Sequence, residues 1–296
     1  MSPLTWGVLS PGDLGSAVGG LLRDRGHRTV TTLEGRSART RERCERAGLE
    51  VLPGLREVVA EADVVISLVP PEAALPLARR VASGGARKPG QLYVDANSLA
   101  LRDLRAVAAI VTSSGGRFLD AAFHGAAAYA GQDRLRDSTS VFLAGEDVER
   151  IAGALSPPLR VVRLGTEPGR ATALKLLIST LNKGMSALFA EAGAAAARAG
   201  LLDETLEALR FHHPQTTAEL ERMLPSYARH ARRRAIEMEG LADLLREVGV
   251  EPEMAAAAAR RIARMAGALS EPPPGAALQA GEMLRALGRK PEGGEP

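Results

Sequence analysis

The first half of the chain alternates continuous apolar runs with segments of helical spacing. The apolar runs predict strands at residues 4–9, 28–33, 49–52, 64–69, 91–97, 117–123, 139–145 and 159–165. Segments in which apolar residues recur at helical intervals lie at residues 13–26, 39–48, 55–62 and 98–110. Strands that alternate with helices predict βαβ units and a parallel sheet. Because the strands are continuously apolar, we expect the sheet to be covered on both faces.

The pattern changes after Gly165. From residue 171 onward only helical spacing recurs, which predicts an all-α second half. We place the boundary in the segment 165-GTEPGR-170. The sequence therefore predicts an α/β domain at residues 1–165, followed by an all-α domain at residues 166–296.

A loop with two glycines follows the first predicted strand. In the stretch 8-VLSPGDLGSAVGG-20, Ser10, Gly12 and Gly15 occupy the three glycine positions of the pattern G-x-G-x-x-G. The second position lets the backbone approach a pyrophosphate, and the third lets the helix pack on the strand. The free N–H groups of the helix start also favour a phosphate. We predict a Rossmann-type domain whose cofactor-binding loop consists of Ser10, Pro11, Gly12, Asp13, Leu14 and Gly15.

The end of the second predicted strand carries the residues that select the dinucleotide. It reads 33-LEGRSART-40. Glu34 would accept a hydrogen bond from the ribose 2′-hydroxyl of NAD, whereas Arg36 and Ser37 would bind the 2′-phosphate of NADP. We predict NADP as the cofactor, with NAD as the alternative.

Composition and charge exclude several other classes of protein. The chain has 296 residues, a formal net charge of +3, 45% hydrophobic residues and a single cysteine, Cys44. Basic residues are spread along the chain, so we expect no nucleic-acid partner. The most apolar long stretch, residues 184–201, contains Glu191 and Arg198, which favours a buried helix over a membrane span. A lone cysteine suits a reducing compartment, so we expect a cytoplasmic protein.

Further motifs carry a resemblance to a known family. The stretches 66-ISLVPPEAA-74, 93-YVDANS-98 and 118-FLDAAFHGAA-127 occur in the order seen in the β-hydroxyacid dehydrogenase superfamily, which includes 3-hydroxyisobutyrate and 6-phosphogluconate dehydrogenases. The segments 171-ATALKLLISTLNKGMSAL-188 and 234-RAIEMEG-240 resemble a branch of uncharacterised NAD(P)-dependent oxidoreductases. That branch has a helical C-terminal domain of formerly unknown function.

The resemblance implies roles for particular residues. It places Leu68, Val69 and Pro70 against the cofactor, and Asp95, Asn97 and Ser98 near the nicotinamide. It turns the loop 123-FHGAA-127 toward the substrate carboxylate and makes Lys175 the general acid/base. It also implies a homodimer that pairs through the helical domain.

Two positions depart from the family pattern. His124, Gly125 and Ala126 stand where Ser-Gly-Gly is usual, and Ser179 stands where the family has Asn. These departures put simple β-hydroxyacid substrates in doubt.

The residues around Lys175 support acid/base chemistry independently of the family resemblance. A lysine among apolar residues can take up a proton near neutral pH if burial lowers its pKa, whereas a lysine at a helix edge would merely extend to solvent. Ser179 and Asn182 follow at helical spacing on the same side. We therefore assign Lys175, His124 and Ser179 to catalysis, and His124, Gly125 and Asn182 to substrate binding. Structural roles for His124 and Ser179 are the alternative.

These observations predict an NADP-dependent oxidoreductase that transfers a hydride to or from a small polar hydroxy or keto compound. Two alternatives remain open, an imine reductase on the same scaffold and a nucleotide-binding protein without catalysis. The adjacent pair His212-His213 lacks Cys, Asp or Glu residues that would complete a metal site, so we expect no metal.

Overall fold

The computed structural model describes residues 2–85, 87–125, 139–269 and 279–289. The chain divides into two compact units, Met1–Lys175 and Leu176–Pro296. The predicted domain boundary at residues 165–166 precedes this division. The helix Arg170–Ala199 begins in the first unit and continues into the second, so the division falls inside a continuous helix.

The first unit contains all the strands of the described chain. They are β1 (Thr5–Val8), β2 (Arg28–Thr32), β3 (Glu50–Leu52), β4 (Val64–Ser67), β5 (Leu92–Asp95), β6 (Arg117–His124), β7 (Ser140–Gly145) and β8 (Arg160–Arg163). The helices between them are α1 (Asp13–Asp24), α2 (Ala38–Ala47), α3 (Leu55–Glu61), α4 (Pro71–Ser83), α5 (Leu101–Ser113) and α6 (Val148–Leu155). Each predicted strand is therefore present, and this α/β architecture confirms the predicted fold class.

The strands form one sheet in the order β3-β2-β1-β4-β5-β6-β7-β8. Neighbouring strands are parallel except β6 and β7, which are antiparallel. The prediction of a parallel sheet is thus wrong at this one pair. An apolar run shows that a strand is buried but not the direction in which it runs. Since β1, β4, β5 and β6 are parallel, the loops that follow them lie at one edge of the sheet.

The described residues of the second unit form helices. The long helix α7 (Arg170–Ala199) is followed by α8 (Leu202–His212), α9 (Pro214–Met223), a short 3₁₀ turn (Leu224–Ser226), α10 (Tyr227–Glu247), α11 (Glu253–Ala268) and α12 (Ala280–Gly288). The helix α10 packs against α11. In the described part of the chain, no helix combines the length and apolarity needed to span a membrane.

Candidate functional site

The glycine loop joins β1 to α1 at the carboxyl edge of the sheet. Gly12 caps α1 in an extended conformation, and no side chain occupies the cap. A Cβ added to Gly15 would lie 1.9 Å from the carbonyl oxygen of Ser10, so the helix approaches the loop more closely than any side chain allows. A Cβ added to Gly12 would meet nothing within 4 Å. The helix terminus therefore faces open space, as a bound pyrophosphate requires.

Ser10 fits the first position of this loop without strain. Its side chain is buried. Among the described residues every positive φ angle belongs to a glycine, so Ser10 does not need the conformational freedom that glycine supplies. The missing first glycine therefore does not disrupt the loop.

The loop after β2 brings the two cofactor-selecting residues close to the nucleotide loop. The Arg36 guanidinium donates to the carbonyl oxygen of Leu9, with Nη2 3.5 Å from it. Ser37 caps α2, since its Oγ accepts a hydrogen bond from the Thr40 N–H at 3.3 Å. Glu34 is exposed on the same loop. An open pocket of about 460 Å³ is lined by Leu33, Glu34, Gly35, Arg41, Val51, Leu52 and Pro53.

A buried amide links the loops that follow β4 and β5. Oδ1 of Asn97 accepts from the Val69 N–H at 2.7 Å, and its Nδ2 donates to the Ser67 hydroxyl at 3.0 Å and to the Asp95 carboxylate at 2.9 Å. Asn97 and Val69 are buried, Leu68 is half-buried, and Pro70 is exposed at the start of α4. The stretch at residues 68–70 is thus held by Asn97.

Asp95 is a fully buried carboxyl group at the end of β5. Burial raises its pKa to about 7, and the charge of Asp120 adds to this. The hydrogen bonds from Asn97 and the positive charge of Lys175 oppose the rise. In the register of β5 and β6, Asp95 lies opposite Asp120. Two buried acids are therefore neighbours on adjacent strands.

Lys175 lies beside the loop that follows β5. Its Nζ donates to Ser98 Oγ at 2.9 Å, although the two residues are 77 positions apart. The resemblance had placed Ser98 near the nicotinamide, and the structure joins it to Lys175.

Asp120 holds the start of the helix that carries Lys175. One carboxylate oxygen accepts from the N–H groups of Gly169, Ala171 and Thr172 at 2.9–3.0 Å. The other accepts from the Thr172 hydroxyl at 2.7 Å. Burial raises the pKa of Asp120 against the lowering effect of these hydrogen bonds. Asp120 is not among the predicted site residues, and its one signal in the sequence is an acid inside the apolar strand 117–123.

His124 ends β6 at the same edge of the sheet. It is half-buried and stacks against Phe142, with ring centroids 6.3 Å apart. Gly125, which follows, is exposed and has a φ of 125°. Ala126 and Ala127 of the predicted substrate loop lie outside the described residues.

Ser179 and Asn182 belong to the second unit. Ser179 is buried and accepts a hydrogen bond from Lys183 Nζ at 2.7 Å. Asn182 is exposed and lines a pocket of about 260 Å³ between α7 and α9. Lys183 in turn forms an ion pair with Glu237 at 3.0 Å, a pair that the sequence did not reveal. Within the part of the chain that the structure covers, no cluster of three or more His, Cys, Asp or Glu residues could hold a metal ion.

Comparison with known proteins places this site in a family. Residues 6–150 match the model of the NAD binding domain of 6-phosphogluconate dehydrogenase, and residues 196–265 match a domain of unknown function, DUF1932. The conserved protein MTH1747 of unknown function, whose structure is similar to those of 3-hydroxyacid dehydrogenases, is 33% identical. That match covers 88% of this chain and 96% of MTH1747, with a TM-score of 0.65.

Two further matches are an uncharacterised protein and a solved structure that shares the fold. An uncharacterised 28.5 kDa protein in the 7S RNA 5′ region of Methanothermus fervidus is 26% identical over 232 residues, which are 77% of this chain and 85% of that protein. The 3-hydroxyisobutyrate dehydrogenase of Mycobacterium tuberculosis, solved with L-serine, is 19% identical and shares the fold with a TM-score of 0.72. The match covers 97% of this chain and 99% of the 3-hydroxyisobutyrate dehydrogenase.

The glycine loop lies within the part of the chain that matches the NAD binding domain, and the match to MTH1747 covers 88% of the chain. The chain therefore belongs to the NAD(P)-dependent dehydrogenase family of 6-phosphogluconate and 3-hydroxyacid dehydrogenases, in the branch that carries the DUF1932 domain.

Proposed function

We propose that this protein is an NADP-dependent oxidoreductase that transfers a hydride to or from a small polar hydroxy or keto compound, with Lys175 as general acid/base. The observation that supports this most is the hydrogen bond of Lys175 to Ser98, directly after β5. Ligands of open α/β sheets bind at the carboxyl ends of the strands. The lysine therefore lies at the edge of the sheet where the nucleotide loop and His124 also lie.

The dinucleotide, when bound, supplies or accepts the hydride. The open N-terminus of α1 behind Gly12 would hold its pyrophosphate. Asn97 would keep residues 68–70 in place beside it, because its amide already binds the Val69 N–H.

Lys175 would transfer the proton that hydride transfer requires. During reduction its ammonium group donates a proton to the oxygen of the carbonyl, and during oxidation its amine accepts the hydroxyl proton. Ser98 positions Nζ for this role. His124 and Gly125 would bind the polar group of the substrate, and Asn182 would contribute from the helical domain. Ser179 would act through Lys183, to which it is hydrogen-bonded.

The preference for NADP rests on the loop after β2. Arg36 is exposed there, and its guanidinium is within reach of the nucleotide loop through its contact with Leu9. A guanidinium matches the geometry of a phosphate better than that of a ribose hydroxyl. Glu34 would favour NAD if it turned toward the ribose instead.

We also propose that residues 166–296 form a substrate and dimerisation domain, and that the protein is a cytoplasmic homodimer. Supporting the dimer, Leu181, Leu188 and Met254 are 67%, 54% and 63% exposed, and they line a mainly apolar pocket of about 280 Å³. Large apolar side chains exposed together commonly mark a protein interface. Cys44 is buried and unpaired, as suits a reducing compartment.

Turnover of a substrate panel tests the proposal. Keto acids and polar ketones with NADPH, hydroxy acids with NADP, and cyclic imines with NADPH would be compared by absorbance of the reduced nicotinamide. Lys175→Ala should abolish turnover and keep cofactor affinity, whereas Lys88→Ala, at an exposed ion pair with Asp63, should keep both. Full activity of Lys175→Ala would overturn the assignment.

The panel also separates the alternatives. Turnover confined to cyclic imines would instead identify an imine reductase. Cofactor binding without any turnover would identify a nucleotide-binding protein that lacks catalysis.

A further inference from the structure

An ion pair joins the glycine loop to the helix that follows β2. Asp13 is the first residue of α1 and comes directly after the cap residue Gly12. Arg43 lies on α2, and its Nη2 lies 2.5 Å from Asp13 Oδ1. The pair therefore ties α2 to the start of α1, where the pyrophosphate of a dinucleotide is expected.

The cation of this pair is shielded from water. The Arg43 side chain is 16% exposed, whereas that of Asp13 is 50% exposed. By contrast, the paired side chains of Arg28 and Lys88 in the same unit are 44% and 41% exposed. Solvent and salt weaken an ion pair less when one of its charges is withdrawn from water. The Arg43–Asp13 pair is therefore stronger than an ordinary surface pair.

The Asp13 carboxylate stands at the helix terminus that an incoming phosphate would use. A carboxylate in the first turn stabilises a helix, because it complements the positive end of the helix dipole. A phosphate is attracted to the same terminus by the same dipole and by the free N–H groups. The space before α1 is open, since a Cβ added to Gly12 would meet nothing within 4 Å. Asp13 therefore favours the helix but repels a pyrophosphate placed there.

Arg43 offsets this repulsion in two ways. Its positive charge, in direct contact with the carboxylate, neutralises the field that Asp13 would exert on a second anion. The contact also holds the carboxylate toward α2, so it cannot turn over the N–H groups at the start of α1. The helix terminus thus stays available to an anion although its first residue is an acid.

The segment that contains α2 contacts the glycine loop at a second point. Arg36, which precedes α2, donates to the carbonyl oxygen of Leu9. Arg36 faces the part of the dinucleotide that differs between NADP and NAD, because only NADP carries a 2′-phosphate. The pyrophosphate is common to both nucleotides. An effect of Arg43 through Asp13 should therefore be the same for NADPH and NADH.

We propose that Arg43 is a positioning residue for dinucleotide binding, which neutralises Asp13 and keeps its carboxylate away from the pyrophosphate site at the start of α1. Arg43 acts through Asp13 and does not touch the nucleotide. This role rests on the dinucleotide binding of the proposed function, but it does not require hydride transfer or Lys175.

Calorimetric titration of the full-length protein with NADPH and with NADH tests this role. Arg43→Met should weaken both affinities by a similar factor of about fivefold or more. Arg46→Met removes the same charge from an exposed position on α2 and should change them by less than about twofold. Unchanged affinity in Arg43→Met, equal weakening in Arg46→Met, or a loss confined to NADPH would each overturn the proposal.

A double variant separates charge compensation from a structural role. Asp13→Asn combined with Arg43→Met should bind NADPH within about twofold of wild type, because the charge that Arg43 offsets is gone. If Arg43 only held α2 in place, or contacted the phosphate itself, the double variant would stay as weak as Arg43→Met. That result would contradict the proposal.

Should Arg43→Met fail to fold, Asp13→Asn decides the matter, since its side chain is half exposed. The variant removes the repelling charge and should bind NADPH about twofold or more tightly than wild type. An affinity no higher than that of wild type would contradict the proposed repulsion. Absence of nucleotide binding in the wild-type protein would overturn the proposed function and this role together. Normal wild-type binding without rescue would overturn this role alone.

Discussion

Lys175 Nζ lies 2.9 Å from Ser98 Oγ because two adjacent strands converge on the same helix. Ser98 follows β5, and Asp120 on β6 binds the first turn of α7 through three N–H groups and the Thr172 hydroxyl. Ser98 therefore holds the side chain of the lysine, and Asp120 holds the start of the helix that carries it. We expect loss of the Ser98 contact and loss of the Asp120 contacts to have different consequences.

Removal of the Ser98 hydroxyl should impair the chemistry and spare the fold. In Ser98→Ala the Lys175 ammonium loses a partner, so we expect kcat to fall by about tenfold to a hundredfold and its pH profile to shift. Ser98→Thr should restore most of the activity, since it restores the hydroxyl. Ser113→Ala removes an exposed hydroxyl on α5 and serves as the control. Unaltered kinetics in Ser98→Ala would show that this hydrogen bond does not position the lysine.

Replacement of Asp120 should instead lower stability. In Asp120→Asn one accepting oxygen is replaced by an NH₂ group, which cannot accept the hydrogen bonds that the start of α7 donates. We therefore expect the free energy of unfolding to fall by about 1–3 kcal/mol. Denaturation by urea measures the loss. Asp103→Asn, at an exposed pair with Arg102, should change it by less than about 0.5 kcal/mol. A similar loss of stability in both variants would mean that the hydrogen bonds of Asp120 to the start of α7 do not stabilise the protein.

The two loop glycines should separate stability from cofactor binding. Gly15→Ala would bring a methyl group against the Ser10 carbonyl oxygen, so we expect both destabilisation and loss of NADPH binding. Gly12→Ala adds a methyl group in open space, so the protein should fold normally while its NADPH affinity falls about tenfold or more. Thermal unfolding and fluorescence titration measure the two effects. Normal NADPH affinity in Gly12→Ala would place the pyrophosphate elsewhere.

Arg36 should decide the choice of dinucleotide. In Arg36→Ala we expect NADPH affinity to fall by about tenfold or more, because a charge-assisted bond to the 2′-phosphate is lost, while NADH affinity stays unchanged. Arg39→Ala, at an exposed position of α2, is the matched control. Calorimetry with both nucleotides gives the comparison. Equal affinity of the wild-type protein for NADPH and NADH would refute the role of Arg36.

Asp95 should make stability depend on pH. Its pKa is about 7 in the folded protein, against an ordinary value of 3.8. Between these values the folded state holds more protons than the unfolded state, so the Asp95 contribution falls as pH rises. The Asp95→Asn variant should therefore gain stability relative to wild type as the pH rises from about 4 to about 7. The difference in free energy of unfolding should grow by up to about 1.4 kcal/mol per pH unit. Asp120 titrates in both proteins, so a difference independent of pH would contradict the shift.

The sequence predicted the sheet and the loop well because both depend on local patterns. Continuous apolar runs mark buried strands, and glycines at fixed spacing mark the turn into α1. Strand direction is set by connections instead, and the antiparallel β6–β7 pair escaped the prediction.

The sites proved harder to predict because their contacts join distant positions. Nothing local links Asp120 to Thr172, or Lys183 to Glu237. Ser179 was predicted from helical spacing to act with Lys175, yet spacing alone did not reveal that Lys183 binds it. Helical periodicity identifies a shared face but not which of its side chains pair.

Transfer of deuterium from NADPH labelled at the reactive carbon tests the central claim most directly. Wild-type protein and Lys175→Ala would be incubated with the substrate panel, and the products examined by mass spectrometry. We predict label in a hydroxy product with the wild-type protein and none with Lys175→Ala, although both bind NADPH. Labelled product at the same rate in both proteins, or none in either despite bound NADPH, would contradict the account.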